Sequence, residues 1–340
     1  MEGINGNCAD ENEVDLSILI PVYNVESYLS ELLDTLLPDL PALTEIIFYD
    51  DFSSDDSLAV IRKYQQSYPD INIRVLCGQK NLGITRVRQC LLKASYAEYI
   101  WFIDSDDRVE RQAVEQIRAI LNQHHPDVVL FDYDVFVDDT GKVKHHEHLS
   151  IAPANTLLHQ RSGELYRFAI MDGKHYFWNK VFRRTLVTDK CHFTIPAYED
   201  IANTPTILNQ CQTYFYYPHT LVHYRIWPNS IVQKISLKQA YGIEAYLTQA
   251  IYADAVVGDR KCCAYLLYKA HLYYFRLCRK LARINLPEKE KEAILLLAKQ
   301  QYAEKPLSTC ATILLLLRTG MWGKAFKLGL KSGLASLSGK

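Results

Sequence analysis

Residues 99–110 read YIWFIDSDDRVE, an apolar run that ends in three carboxylates, Asp104, Asp106 and Asp107. Acids two apart beyond a strand can both reach one hard cation such as Mg²⁺ or Mn²⁺, with substrate phosphates completing its shell. The simpler reading has Asp106 or Asp107 capping a helix over RQAVEQIRAIL, since Asp is favoured at helix starts. An EF-hand is excluded, because no Gly and bidentate Glu follow at the required spacing. Two further acid pairs stand at element ends: Asp50-Asp51 after TEIIFY, and Glu199-Asp200 before IANTPTIL. A carboxylate such as Asp200 can take the proton of an attacking hydroxyl, or it can serve only as a helix cap.

These acids need a frame, and the first hundred residues supply one. LSILIPVY (16–23), TEIIFYDD (44–51), INIRVLC (71–77) and AEYIWFID (97–104) read as buried strands. Between them, VESYLSELLDTLL, SSDDSLAVIRKYQQSY and TRVRQCLLKAS carry helical spacing, the second opening on cap residues. Alternating units of this kind predict a doubly wound, mostly parallel sheet flanked by helices. Ligands bind such sheets beyond the carboxyl ends of the strands, where strand order reverses. Asp50-Asp51 and Asp104 to Asp107 therefore belong on one rim, and so many acids there call for a cation or a set of donors between them. DVVLFDYDVFVDD and VKHHEHL form a hairpin around Gly141, in which His145, His146 and His148 read as a solvated strand. Beyond about Ser236 the chain reads as helices to its end, with breaks near Pro287 and Pro306. The expected division is a flexible N-terminus over 1–15, a catalytic α/β domain over 16–233 and a helical region over 234–340.

Charge divides the same way. Lys and Arg number 20 against 32 Asp and Glu up to residue 233, and 18 against 7 beyond it. An acidic body suits a metal-dependent site, and a basic C-terminal third suits an anionic surface. Nine cysteines without a CxxC pair suggest neither a disulfide framework nor a zinc site, so a reducing cytoplasm is expected. The N-terminus lacks a signal-peptide pattern, and the apolar run ATILLLL is far short of the roughly 20 residues of a membrane span. In MWGKAFKLGLKSGLASLSGK, Trp322, Phe326, Leu330, Leu334 and Leu337 share one helical face beside Lys324, Lys327 and Lys331. That pattern fits a helix lying in an anionic membrane interface, or one packed on the protein body with its lysines in solvent.

Six motifs in order resemble the family 2 glycosyltransferases of the GT-A fold: SILIPVYN (17–24), YDDFSSDDS (49–57), NLGITRVR (81–88), YIWFIDSDD (99–107), WNKVFRR (178–184) and YEDIANTPTIL (198–208). The resemblance covers roughly residues 16–230 and is of the type acting in bacterial surface polysaccharide synthesis. It implies that Pro21, Val22 and Tyr23 line the nucleotide pocket, that Asp51 receives the base, and that Arg88 lies near the donor. It further implies that Asp104 and Asp106, with Ser105 between them, form a metal-binding DxD motif under the diphosphate, and that Asp200 is the general base. Trp178, Asn179 and Lys180, with Glu199, are candidates for acceptor binding, a buried tryptophan being the alternative for Trp178. Arg225 or His223 could reach the diphosphate or pair with structural carboxylates. Phe52 stands where the family usually has Gly, and Gln89 where Asn is frequent, which bears on the shape of the donor-base loop.

The implied activity is an inverting, Mn²⁺- or Mg²⁺-dependent transfer from a nucleotide sugar, UDP-linked, to a hydroxyl of a glycan or lipid-linked glycan. The enzyme would sit peripherally on the cytoplasmic face of the inner membrane, without a nucleic-acid partner. A nucleotidyltransferase would need a Gly-rich basic N-terminal loop, which PVYNVESY lacks. A non-catalytic, membrane-recruited sugar-binding protein would not need Asp104, Asp106 and Asp200.

Overall fold

A computed structural model describes residues 14–188, 193–227 and 235–337; residues 1–13 of the expected N-terminal tail and 228–231 of the HYRIWPNSI segment lie outside them. The elements follow in the order β1 (Leu16–Val22), α1 (Glu26–Leu36), β2 (Thr44–Asp50), α2 (Ser57–Ser67), β3 (Asn72–Cys77), α3 (Ile84–Ala94) and β4 (Tyr99–Phe102). Then come β5 (Arg108–Val109), α4 (Ala113–His124), β6 (Val128–Val137), β7 (Val143–Glu147), β8 (Leu157–His159), α5 (Glu164–Met171), β9 (Lys180–Arg183) and α6 (Arg184–Thr188). The chain continues through α7 (Glu199–Gln210), β10 (Thr213–Ile226), α8 (Tyr241–Tyr252), α9 (Arg260–Leu281), α10 (Glu288–Ala303), α11 (Thr309–Arg318) and α12 (Trp322–Leu337). Two compact units result. The first takes the described residues of 1–160, 176–191 and 210–227, and the second those of 161–175, 192–209 and 228–340. The helices α5 and most of α7 thus pack with the C-terminal helices, although they precede residue 233.

The first unit is built on one sheet with strand order β3-β2-β1-β4-β9-β6-β10-β5, β7 pairing with β6 and β8 with β10. Every residue of β1 and β2 is buried, as continuous Val/Ile/Leu strands covered on both faces should be. The chain runs outward through β1, β2 and β3, then returns to place β4 on the free side of β1. That reversal between β1 and β4 is the switch point at which such sheets leave a crevice. The sheet is parallel through this half and mixed beyond it, so "mostly parallel" describes only the part nearest the acids. The strand β9 runs antiparallel between β4 and β6, because past residue 104 strands no longer alternate strictly with helices. The hairpin of β6 and β7 forms as expected around Gly141, which takes φ +61°. Its histidines are exposed, His146 and His148 meeting Asp134 and Asp132 at 2.6 and 2.9 Å.

In the second unit the helices are delimited by side-chain caps and by proline. Asp259 accepts the N–H groups of Lys261 and Cys262 at the start of α9, and Ser308 that of Ala311 at the start of α11. α8 and α9 approach closely at Gly242, where a Cβ would lie 2.7 Å from Cζ of Tyr273. His271 on α9 is buried and bridges two other helices, with Nδ1 at 2.5 Å from the Tyr302 hydroxyl and Nε2 at 3.1 Å from that of Thr312. α12 packs inward through Ala325 and Leu328, next to Met321 just before it. Its other stripe, Trp322, Phe326 and Leu330, is 68%, 70% and 55% exposed. The helix therefore packs on its unit and still leaves an apolar face outside; the side chains of Leu334 and Leu337 lie outside the description. Among the described residues no helix is long and apolar enough to cross a membrane.

Burial, with Lys305 second, pushes the His271 imidazole down to about 4. An unfolded imidazole takes its proton near 6.5, so stability from this site is complete above that pH and is lost as pH falls towards 4. Between pH 7.5 and 4.5 the native protein should lose about 2 kcal/mol more than the His271→Gln variant. Denaturant titrations at the two pH values check this, and parallel losses would reject it.

Candidate active site

The three acids after β4 are brought to the switch point and held there by three different partners. Asp104 Oδ1 accepts from Arg88 Nη2 at 2.6 Å. The Arg88 guanidinium comes from α3, is buried, and lies 5.8 and 5.4 Å from the rings of Phe102 and Phe177. Asp106 Oδ2 accepts the indole N–H of Trp227 at 2.6 Å. Asp107 is fully buried and its Oδ1 accepts the backbone N–H of Arg225 at 2.8 Å. Asp107 therefore does not cap the following helix: β5 intervenes, and α4 begins at Ala113 after Gln112 in a left-handed conformation. Ser105 is buried between Asp104 and Asp106.

Arg225 secures this arrangement from β10. Its guanidinium donates to the Asp106 carbonyl at 2.6 Å, to Asp138 and Glu31 at 2.5 Å each, and packs over Tyr28 and Phe136 at 4.7 Å. Each of its three guanidinium nitrogens has a protein acceptor, so it ties β10 to α1, to the end of β6 and to the acid loop. His223 likewise pairs with Glu110 and Asp134. Glu31, Asp138 and Trp227 were not singled out by sequence reasoning. The only local hint was the Arg-x-Trp spacing in HYRIWPNSI, because the partners lie up to 194 residues apart.

The loops beside the acids are tied before any ligand arrives. Both oxygens of Asp51 are used: Oδ1 accepts the Leu82 N–H at 2.6 Å and Oδ2 that of Gly83 at 2.8 Å. Asp51 thereby fixes the Asn-Leu-Gly turn that starts α3, with Gly83 at φ +83°. Pro21 and Val22 end β1 in the core and Tyr23 emerges half-exposed beyond them. Asn24 Oδ1 takes the Ser54 N–H at 2.8 Å, and Ser57 Oγ takes that of Val25 at 2.9 Å, joining the loop after β1 to the loop after β2. Phe52 adopts φ +63° and Asn24 φ +52°, both in the left-handed region. The loop therefore keeps a glycine-like backbone at Phe52, at a cost of order 1 kcal/mol, and turns the ring outward to solvent.

Other candidates are placed differently. Trp178 is 4% exposed and stacks on Tyr176 and Tyr224, while its carbonyl accepts the Trp101 indole N–H at 2.8 Å. Asn179 and Lys180 are fully buried, Lys180 Nζ donating to the Tyr176 carbonyl and to Asn179 Oδ1. All three thus sit in the core, where the Trp178 carbonyl ties β4 to the residues that lead into β9. Glu199 and Asp200 belong to the second unit, in the first turn of α7. Glu199 is buried; Asp200 is partly exposed, and its Oδ1 accepts the Ile201 N–H at 2.8 Å. Asp200 lies one residue inside the helix, so it is not the cap. Tyr198 before it takes φ +63° and accepts a hydrogen bond from Tyr273 at 2.7 Å.

Two observations bear on a divalent cation at the first-unit acids. Burial first, and then Asp104, push the Asp106 carboxyl up to about 6. Burial and the two neighbouring acids also push Asp107 well up, and its Oδ2 has no hydrogen-bond partner. Among the described residues no group of three or more His, Cys, Asp or Glu is arranged to hold a metal by itself. A pair of carboxylates that repel one another, needing further oxygens from a substrate diphosphate, fits Mg²⁺ or Mn²⁺.

Comparison with known proteins now bears on the identity of this site. The sequence matches Glycosyl transferase family 2 over residues 17–186. The chain belongs to that family. This family 2 glycosyltransferase is 30% identical over 246 residues to EpsH of Bacillus subtilis (strain 168), covering 70% of this chain and 68% of that one. It is 29% identical over 209 residues to the poly(ribitol-phosphate) beta-N-acetylglucosaminyltransferase TarS of Staphylococcus aureus (strain Mu50), covering 59% of this chain but 35% of TarS. The crystal structure of S. aureus TarS 1-349 in complex with UDP superposes with a TM-score of 0.63 at 20% identity, over 95% of this chain and 92% of that one. The fold is therefore the GT-A fold that the motifs implied.

The raised Asp106 carboxyl gives a pH test. An unfolded aspartate releases its proton near 3.8 and the folded one near 6, so this group's contribution to stability falls as pH rises through that window, and the cost is fully present above it. Asp106→Asn keeps an acceptor for Trp227 and removes the charge. Without metal it should raise stability at pH 7.5 by about 1 kcal/mol and flatten the pH dependence between 4 and 6. Calorimetric scans check this; a variant less stable than the native protein at pH 7.5 would count against it.

Proposed function

We propose that this glycosyltransferase transfers a sugar from a UDP-linked donor to a hydroxyl of a glycan or lipid-linked glycan in cell-surface polysaccharide synthesis. The observation that carries the donor reading is the pair Asp104 and Asp106, delivered by β4 to the switch point beside the end of β1. TarS, similar in sequence and fold, is named for transfer of N-acetylglucosamine and has been crystallised with UDP, which supports uridine as the base. Pro21, Val22, Tyr23 and Asp51 would form the nucleotide pocket, and Arg88 would hold Asp104 in position for the diphosphate. Asp104 and Asp106 would hold a divalent cation, and with it bound they would offset the charge that develops on the departing diphosphate. Asp200 takes the proton of the attacking hydroxyl, and a single in-line displacement inverts the anomeric centre. The exposed apolar stripe of α12 beside Lys324 and Lys327 supports peripheral contact with an anionic, cytoplasmic membrane face.

UDP should raise the melting temperature with Mn²⁺ or Mg²⁺ present and have little effect in EDTA; if no nucleotide sugar binds with any divalent metal, the reading fails. Asp200→Asn should lower transfer about 10²-fold or more, the scale of general-base catalysis, while leaving UDP affinity within about twofold. Turnover assays paired with UDP titrations check this, and retained transfer would remove Asp200 from the role.

A further inference from the structure

The second unit contains a cavity of about 230 Å³ whose lining is rich in tyrosine and cations. Lys269 and Arg276 reach it from α9, and Lys324 and Lys327 from α12. Tyr246, Tyr265 and Tyr273 supply its aromatic wall. Lys269 Nζ lies 5.5 and 5.9 Å from the Tyr246 and Tyr265 rings, and Lys324 Nζ 5.3 Å from that of Tyr265. None of the four cations forms an ion pair with a carboxylate among the described residues. Arg276 also lines a neighbouring hollow of about 380 Å³ with Arg279, Lys280 and Arg283.

Surface lysines usually spread apart or pair with acids, since like charges in contact cost energy. Here they converge on one concave space. Burial, and then Arg276, hold the Lys269 ammonium below the ordinary lysine value, so the cluster carries a cost that an anion would relieve. The tyrosine faces compensate part of that charge but cannot balance all four cations. The same helix that brings Lys324 and Lys327 leaves Trp322, Phe326 and Leu330 exposed at its outer side. A charged cavity and an apolar stripe on one helix match a ligand with a phosphate and an acyl tail.

We propose that this cavity binds the phosphate headgroup of an anionic lipid while the outer stripe of α12 enters the acyl boundary. The inference deepens the membrane contact proposed above by giving it a defined headgroup site on Lys269, Arg276, Lys324 and Lys327. Lys269 separates a built site from diffuse attraction. It is set back among tyrosines, where a flat anionic surface would not reach it, whereas a headgroup inserted into the cavity would.

The test uses the full chain in EDTA, which keeps phosphate away from the donor site. Flotation with vesicles of phosphatidylglycerol in phosphatidylcholine is compared with pure phosphatidylcholine, and thermal stabilisation is measured with monomeric dihexanoyl phosphatidylglycerol and with inorganic phosphate. The native protein should float only with the anionic vesicles and be stabilised by the short-chain lipid. Lys269→Gln should weaken both about tenfold, as loss of one charge-assisted contact does, while Lys289→Gln on the exposed face of α10 changes them less than twofold. Arg276→Gln serves as a second variant if Lys269→Gln does not fold. Equal losses in Lys269→Gln and Lys289→Gln, or no stabilisation by the monomeric lipid, would overturn the site. Equal stabilisation by inorganic phosphate would overturn its assignment to a lipid. UDP binding with Mn²⁺, measured in the same variants, keeps failure of this site separate from failure of the donor reading.

Discussion

Mutual repulsion among three carboxylates gathered beyond one strand is the constraint around which the first unit is arranged. Burial raises the proton affinity of Asp106 and Asp107, so the cluster persists only because distant elements supply donors. Arg88 comes from α3, Trp227 from just beyond β10, and the Arg225 N–H from β10 itself. Each donor meets a different acid, so the three carboxylates do not share one partner. The sheet order β1-β4 positions the acids, but the long return of β10 makes their charge tolerable. Arg225 extends the same support outward, tying Asp138 and Glu31 to the Asp106 carbonyl.

Much of this architecture was legible from local pattern. Strands β1 to β4 and helices α1 to α3 begin and end within a few residues of where period and cap residues put them, because each is specified by its own apolar spacing. The acids were legible because several charges after an apolar run have few structural uses. What escaped was non-local. Nothing in WNKVFRR shows that Trp178 will be sandwiched in tyrosines, or that β9 will insert antiparallel between β4 and β6. Arg225 looked equally suited to phosphate and to carboxylate, and only the positions of Glu31, Asp138 and the Asp106 carbonyl decide it. Phe52 in place of glycine implies another loop shape, yet its backbone takes the left-handed conformation.

The helical unit adds a different kind of constraint. α12 satisfies the packing reading through Ala325 and Leu328, and also leaves Trp322, Phe326 and Leu330 of the apolar stripe outside. A helix with apolar residues on more than one side can bury one stripe and present another.

Gly242 shows how far a structural requirement can act from where it is encoded. Any side chain there would press on Tyr273, whose hydroxyl donates to Tyr198, the strained residue immediately before Glu199 and Asp200. A change on α8 would thus be felt in the turn that opens α7. Read as heredity and not as geometry, an allele at position 242 would act on the turn before Asp200 although the two positions lie far apart in the chain. The turn before Asp200 is in this sense inherited together with the spacing of two helices encoded later in the chain.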